Sequence, residues 1–318
     1  MTQSAALSPP GELQALVDIL DDALLLLAGH DMVRESPTSA ETIPPALFEQ
    51  CIDLCRHVER REAEPIRTIH HLSCSGGTLL VKCLAAMPNV MVLNEVDPLS
   101  TMQFDPEKPH FSPTDFLALV RQGDNKASDS LLIDLFVQNL ETLRLALASR
   151  GKRLLLRDHS HSHFLMDIDI AGRPSVLNVI ADHFSTRSIL TVRNPLDSFL
   201  SLETLGWKNF SPFTFDEYCI RYAYFLDAHQ GLPIYRYEDF VSDPQTLMQQ
   251  MCAALHLPYS PVFAETFDVF RFSGDSGRSG KTISHRARRS CNDGFLEDAK
   301  ASLPYRSLLD RLGYEPFP

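Results

Sequence analysis

The stretch from Ile66 to Leu84 reads IRTIHHLSCSGGTLLVKCL. It runs from a strand-like segment through a turn on adjacent glycines into a helix start. A strand that feeds a helix through a tight turn belongs to a crossover unit, and crossover units build parallel sheets. The same alternation repeats downstream. VMVLNEV (Val90 to Val96), RLLLRDH (Arg153 to His159) and SILTVR (Ser188 to Arg193) read as further strands, and LPIYRYEDF carries a short fifth. Helical periodicity fits Gly77 to Met87, with Pro88 as the stop, and then Asp129–Ser149, Ser175–His183, Pro195–Leu205, Phe215–His229 and Pro244–Leu255. Residues 99–127 are rich in polar and turn residues and are expected to be irregular. The pattern predicts an α/β fold with a mainly parallel sheet and helices on both faces.

Upstream of this unit the character differs. Leu13, Leu16, Val17, Leu20, Leu24 and Leu27 line one helix face, and Leu47, Cys51, Leu54 and Val58 line another. Residues 1–65 are therefore expected to be a helical extension, acting as a cap or as a homodimer surface. Residues 66–318, with a C-terminal helical and basic segment, form the main domain. The formal net charge of −12 argues against a general nucleic-acid binder, which needs a broad cationic surface. The 7 cysteines are an odd number with no zinc-ribbon spacing, which suits free thiols in a reducing cytosol. The apolar run from Ala23 to Ala28 is too short to span a bilayer, and no charged leader precedes an apolar run. A cytoplasmic protein without stable membrane insertion is expected.

In an open parallel sheet, ligands gather at the carboxyl ends of the strands. Three polar segments fall at such ends: 73–78, 157–161 and 193–201. In the first, Gly76 and Gly77 permit a sharp turn, Ser75 and Thr78 offer hydroxyls, and the helix that follows aims its free N–H groups at a bound anion. An ordinary glycine-containing turn fits the same letters. A nucleoside-triphosphate loop carries Lys after its last glycine, whereas here Thr78 and Leu79 follow and Lys82 lies a turn further on. That disfavours a Mg²⁺-dependent, kinase-like phosphotransferase. In the third segment, Arg193 ends a strand and Ser201 lies two helical turns into the next helix, a spacing at which the two can pinch one anion.

The pair CSGGTLL and VRNPLDSFLS resembles the two cofactor motifs of the sulfotransferases that use 3′-phosphoadenosine 5′-phosphosulfate (PAPS). MPNV, YRYEDFVSDP and ALHLPYSP resemble further family segments in the same order, so the likeness covers roughly residues 66–290. The resemblance implies a P-loop-like sulfotransferase fold and direct in-line transfer of a sulfuryl group to a hydroxyl or amine. The acceptor would be a small molecule, lipid or sugar, and no metal would be required. It implies that Cys74, Ser75, Gly76, Gly77, Thr78 and Leu79 hold the 5′-phosphosulfate, while Arg193 and Ser201 hold the 3′-phosphate. The late basic stretch from Ser273 to Ser290 resembles the family's third cofactor segment in position and character, and Arg278 and Arg286 are the residues expected to bind. Tyr237 either borders the adenine or is a core tyrosine.

The resemblance assigns the general base to His159, with Glu95 as second candidate. A metal site made of His159, His161 and His163 is disfavoured, because their spacing on a loop is undirected. The family places a cation just before the Ser-Gly of the loop, and this chain has Cys74 there. Arg157, at the neighbouring strand end, is expected to supply that charge, ahead of a protonated His71. The departure at Cys74 also keeps open a catalytically degenerate nucleotide-binding protein.

Overall fold

The computed structural model describes residues 64–102, 113–123, 127–273, 282–285, 289, 291 and 293–315. The expected N-terminal extension and its dimer surface lie outside these residues, as do Arg278 and Arg286. Among the described residues no helix is long and apolar enough to cross a membrane.

Five strands form one sheet in the order β2-β3-β1-β4-β5. They are β1 (Ile66–His70), β2 (Val90–Val96), β3 (Arg153–Asp158), β4 (Thr186–Val192) and β5 (Ile234–Arg236). Every pairing is parallel. β1 lies in the middle and is buried along its whole length, as its unbroken neighbours on both sides require. The chain leaves β1 toward β2, and leaves β4 in the opposite direction toward β5. The switch point of the sheet is therefore the crevice between the carboxyl ends of β1 and β4, where an α/β sheet offers its ligand site.

The helices are α1 (Gly77–Ala85), α2 (Phe116–Gly123), α3 (Asp129–Ala148), α4 (His161–Phe164), α5 (Val176–Ala181), α6 (Pro195–Leu205), α7 (Phe215–Ala228), α8 (Tyr237–Ser242), α9 (Pro244–Ala254), α10 (Phe263–Thr266), α11 (Asp293–Ala301) and α12 (Leu303–Leu312). Strand alternation divides the core. Ile69, Leu155 and Ile189 pack with α1, α8, α9 and α10 on one face. On the other, Ile66, Leu154 and Leu156 meet α3 and α5, while Leu190 and Val192 meet α6, α7 and α12.

Helix α2 corrects the expectation that residues 99–127 are irregular. Asp115 accepts from Ala118 N at 3.1 Å as an N-terminal cap, and Arg121 donates to the carbonyls of Ser100 (3.0 Å) and Pro98 (2.7 Å). The turn residues flanking so short a helix outweigh its two turns of apolar periodicity when the segment is read as a whole.

Candidate active site

The loop after β1 is built by two residues in the left-handed region, Cys74 (φ 64°) and Gly76 (φ 87°). Ser75 closes it by donating its hydroxyl to the Leu72 carbonyl at 2.7 Å. No side chain caps the start of α1, which leaves the helix entrance to the loop backbone. Both glycines are required by close neighbours. A Cβ on Gly76 would strike the Tyr237 ring, and one on Gly77 would come within 2.2 Å of three His71 ring atoms. Tyr237 is buried under the loop, 2% exposed, with the Arg193 guanidinium carbon 5.1 Å from its ring centre.

Arg157, the penultimate residue of β3, lies on the same sheet face as His71 and α1. Its Nε donates to His71 Nε2 at 2.9 Å, and its other nitrogens donate to Thr78 Oγ1 (3.0 Å), Asn94 Oδ1 (2.8 Å) and the Ser273 carbonyl (3.1 Å). Glu95 Oε1 lies 3.2 Å from the same guanidinium, and Glu95 Oε2 accepts from the Ser273 hydroxyl at 3.0 Å. Glu95 adopts φ 56° where the register between β2 and β3 shifts, and this turns its carboxylate to the strand ends.

His71 donates Nδ1–H to the Leu72 carbonyl at 3.0 Å and accepts from Arg157, so it carries one proton. Burial, aided by the Arg157 charge, lowers its pKa to about 3. His71, the less favoured candidate for the loop's positive charge, is thus a neutral acceptor that orients Arg157.

The second cluster lies across the switch crevice. Arg193 donates to the Cys74 carbonyl at 3.0 Å, which ties the end of β4 to the loop. Its Nε is buried with no hydrogen-bond partner among the described residues. Such an unanswered guanidinium donor calls for an acceptor. Asn194 caps α6 by accepting from Leu196 N at 3.0 Å, and Pro195 opens that helix. Ser201, two turns in, receives a hydrogen bond from Arg289 Nε at 3.3 Å. Arg289 belongs to the basic stretch but was not among the residues chosen from it. Position within a run of five basic residues does not reveal that Arg289 is the one that reaches Ser201. Burial raises the Cys74 thiol to about 11, against the opposing charges of Arg193 and Arg289. Cys74 is therefore a thiol at neutral pH and supplies no charge.

His159 follows β3, half-buried, with its backbone N–H donating to the Val96 carbonyl at 3.1 Å. Its ring makes no hydrogen bond to another described residue. His161 accepts from Asn209 at 2.8 Å and donates to Ser73 Oγ at 2.6 Å, and burial lowers its pKa to about 4. His163 donates to the Ile170 carbonyl at 3.0 Å. His161 and His163 thus have separate partners, His159 stacks on His161, and the three imidazoles do not converge as a ligand group among the described residues.

No protein-family model matches the chain, and no curated protein sequence matches it. Solved structures do. The sulfotransferase domain of a Synechococcus olefin synthase is 17% identical with a TM-score of 0.48, covering 80% of this chain and 96% of that one. The chain is similar to sulfotransferases. Sulfotransferase STF1 of Mycobacterium tuberculosis is 15% identical at a TM-score of 0.39, covering 69% of this chain and 74% of that one. Mouse sulfotransferase SULT7A1, complexed with PAP, is 12% identical at a TM-score of 0.36, covering 78% and 83%.

Proposed function

We propose that the chain is a PAPS-dependent sulfotransferase that moves a sulfuryl group directly to a hydroxyl or amine of a small-molecule, lipid or sugar acceptor. The observation that carries this reading is the pair of guanidinium clusters flanking one loop. Arg157 bonds Thr78 at the helix side, and Arg193 bonds Cys74 across the switch crevice with Arg289 on Ser201 beyond it. Two separate cationic points on one loop suit a ligand with phosphates on two arms of a nucleoside. A triphosphate chain would need its cation at the loop's end, where Thr78 and Leu79 stand.

Bound PAPS supplies the activated sulfuryl group and leaves as 3′,5′-adenosine bisphosphate (PAP). The loop backbone from Ser75 to Thr78, with Thr78 Oγ1 and Arg157, would hold the 5′ end. Arg193, Ser201 and Arg289 would hold the 3′-phosphate, and the unanswered Nε of Arg193 fits an anion there. Arg157 takes the role of the missing loop cation, because a guanidinium keeps its charge when buried. His159 takes the acceptor's proton, since its half-buried ring at the strand ends stacks on His161 and makes no hydrogen bond to another described residue. Glu95 is already held by Arg157 and Ser273, which suits an orienting role better than that of a base.

The test is calorimetry with PAP against Mg²⁺·ATP, followed by a radiolabelled sulfate-transfer screen. PAP is expected to bind and Arg193→Ala to weaken it by at least tenfold. Binding of Mg²⁺·ATP in preference to PAP would sink the reading. PAP binding without transfer to any acceptor would favour the degenerate alternative.

A further inference from the structure

β1 and β3 each end on two polar residues, His70-His71 and Arg157-Asp158. Strand alternation sends them to opposite faces. His71 and Arg157 go to the loop side. His70 and Asp158 go to the other, where His229 at the end of α7 meets them. Among the described residues these three form the group whose ligand atoms converge, all within 4.8 Å of one another. All three side chains are buried, at 0%, 3% and 0% exposure.

The hydrogen bonds around them leave too few protons. His229 Nδ1 sits 2.7 Å from the Phe225 carbonyl, so it must carry the proton and donate. Its Nε2 is then a bare lone pair, buried without a hydrogen-bond partner and 3.8 Å from Asp158 Oδ2. A proton on Nε2 would not help, because 3.8 Å is too long for the hydrogen bond that a buried imidazolium requires. Thr68 donates its hydroxyl to Ser188 Oγ at 2.6 Å, so it accepts from His70 Nε2 at 2.7 Å. That turns the lone pair of His70 Nδ1 onto Asp158 Oδ2 at 2.9 Å. Three electron-pair donors thus face one another in a dry setting beside Phe164 and Phe225. A proton between His70 and Asp158 answers two of them and leaves His229 Nε2 unanswered, whereas a metal cation answers all three.

We propose that His70, Asp158 and His229 bind a divalent first-row transition ion, zinc by ligand type. Two imidazoles and one carboxylate suit zinc and disfavour the oxygen-seeking Mg²⁺ and Ca²⁺. The separations of 2.9 and 3.8 Å bracket the ~3.3 Å between donors of a tetrahedral zinc site. The outer contacts are those that metal-bound residues make. Each imidazole donates its other N–H, one to Thr68 and one to a backbone carbonyl, and Asp158 receives the Ser160 hydroxyl at 2.7 Å. The ion ties the ends of β1, β3 and α7 together, directly behind His71 and His159. It is structural, and sulfuryl transfer uses no part of it. The inference does not rest on the sulfotransferase reading.

The test is elemental analysis of the full chain, purified without a polyhistidine tag or metal-affinity step. About one equivalent of zinc or a related ion is expected to survive dialysis. EDTA during guanidinium titration is expected to lower the unfolding midpoint, and refolding with Co²⁺ to give visible absorption bands of a low-coordinate site. His229→Gln is expected to lose the metal. Should that variant fail to fold, the wild-type chelator and cobalt measurements decide. Protein without metal as purified, taking up none on refolding with zinc or cobalt and unfolding alike with and without EDTA, would overturn the proposal. So would metal retained in full by both His229→Gln and Asp158→Asn.

Discussion

At Cys74 a residue that carries charge in the resembled family is a thiol, and the proposed function gives that charge to Arg157. Arg157 reaches Thr78 from the next strand while being held by His71, Asn94, Glu95 and the Ser273 carbonyl. A lysine has no planar fork and cannot meet these acceptors together. Arg157→Lys is therefore expected to lower turnover by ~10- to 100-fold, about 1.4–2.7 kcal/mol of transition-state stabilisation, while PAP affinity changes by less than threefold. Steady-state kinetics beside calorimetry checks this, and an equal loss in both would place Arg157 in ground-state binding instead. Cys74 gives a second residue-scale expectation. Its thiol is raised to about 11 by burial, so the reactive thiolate is scarce at pH 7.5. Mass-spectrometric alkylation of Cys74 is expected to be slow at pH 7.5 and to accelerate steadily toward pH 10. Fast labelling at neutral pH would mean that the guanidiniums of Arg193 and Arg289 outweigh burial. In an unfolded chain the thiol returns to its ordinary value, so Cys74 begins to destabilise the fold only above about pH 9.

At the scale of elements, the strand–loop–helix unit depends on what its glycines touch. Gly77→Ala drives a methyl group against the His71 ring and pushes it off Arg157. About 1–3 kcal/mol of stability should be lost by denaturant titration, and turnover should fall with it. Combining Gly77→Ala with His71→Ala removes the clash, so the double variant is expected to be more stable than the sum of the two losses. Strict additivity would show that the ring does not press on the helix start. Gly76→Ala suffers both the left-handed backbone and Tyr237, and should cost at least as much.

Elements of this kind were legible in the sequence, and side-chain placement was less so. β2 and α6 begin and end where apolar runs, Pro195 and Asn194 put them, because strand runs and caps are local signals. That His71 is too buried to be the alternative source of charge is not legible locally, because burial is not a local property. Arg289 could not be told from its basic neighbours for the same reason. The partners His70 and His229 stand on β1 and just beyond α7, too far apart for spacing to couple them. Arg157 and Asp158, adjacent on one strand, go to opposite faces by alternation alone, whereas the partners each meets there come from distant segments that only the fold brings in.

For the whole molecule, the balance of charge sets how an anionic nucleotide arrives. The chain carries −12, while the proposed cofactor site concentrates Arg157, Arg193 and Arg289 around one loop. These forces differ in range. The guanidiniums act at contact distance in a partly buried crevice, where salt screens little, whereas repulsion from the acidic surface acts over the Debye length. That length shrinks from about 30 Å at 0.01 M salt to about 8 Å at 0.15 M. Added salt in this range should therefore remove more repulsion than attraction. The association rate constant for PAP, measured by stopped flow, is expected to rise about two- to fivefold between these ionic strengths, opposite to the usual behaviour of steered charge pairs. Arg289→Ala should raise the dissociation rate and leave that slope nearly unchanged, since the approach is governed by the surface and the residence by the site. An association rate that falls with salt would mean that the cationic crevice projects beyond the acidic surface and steers the nucleotide itself.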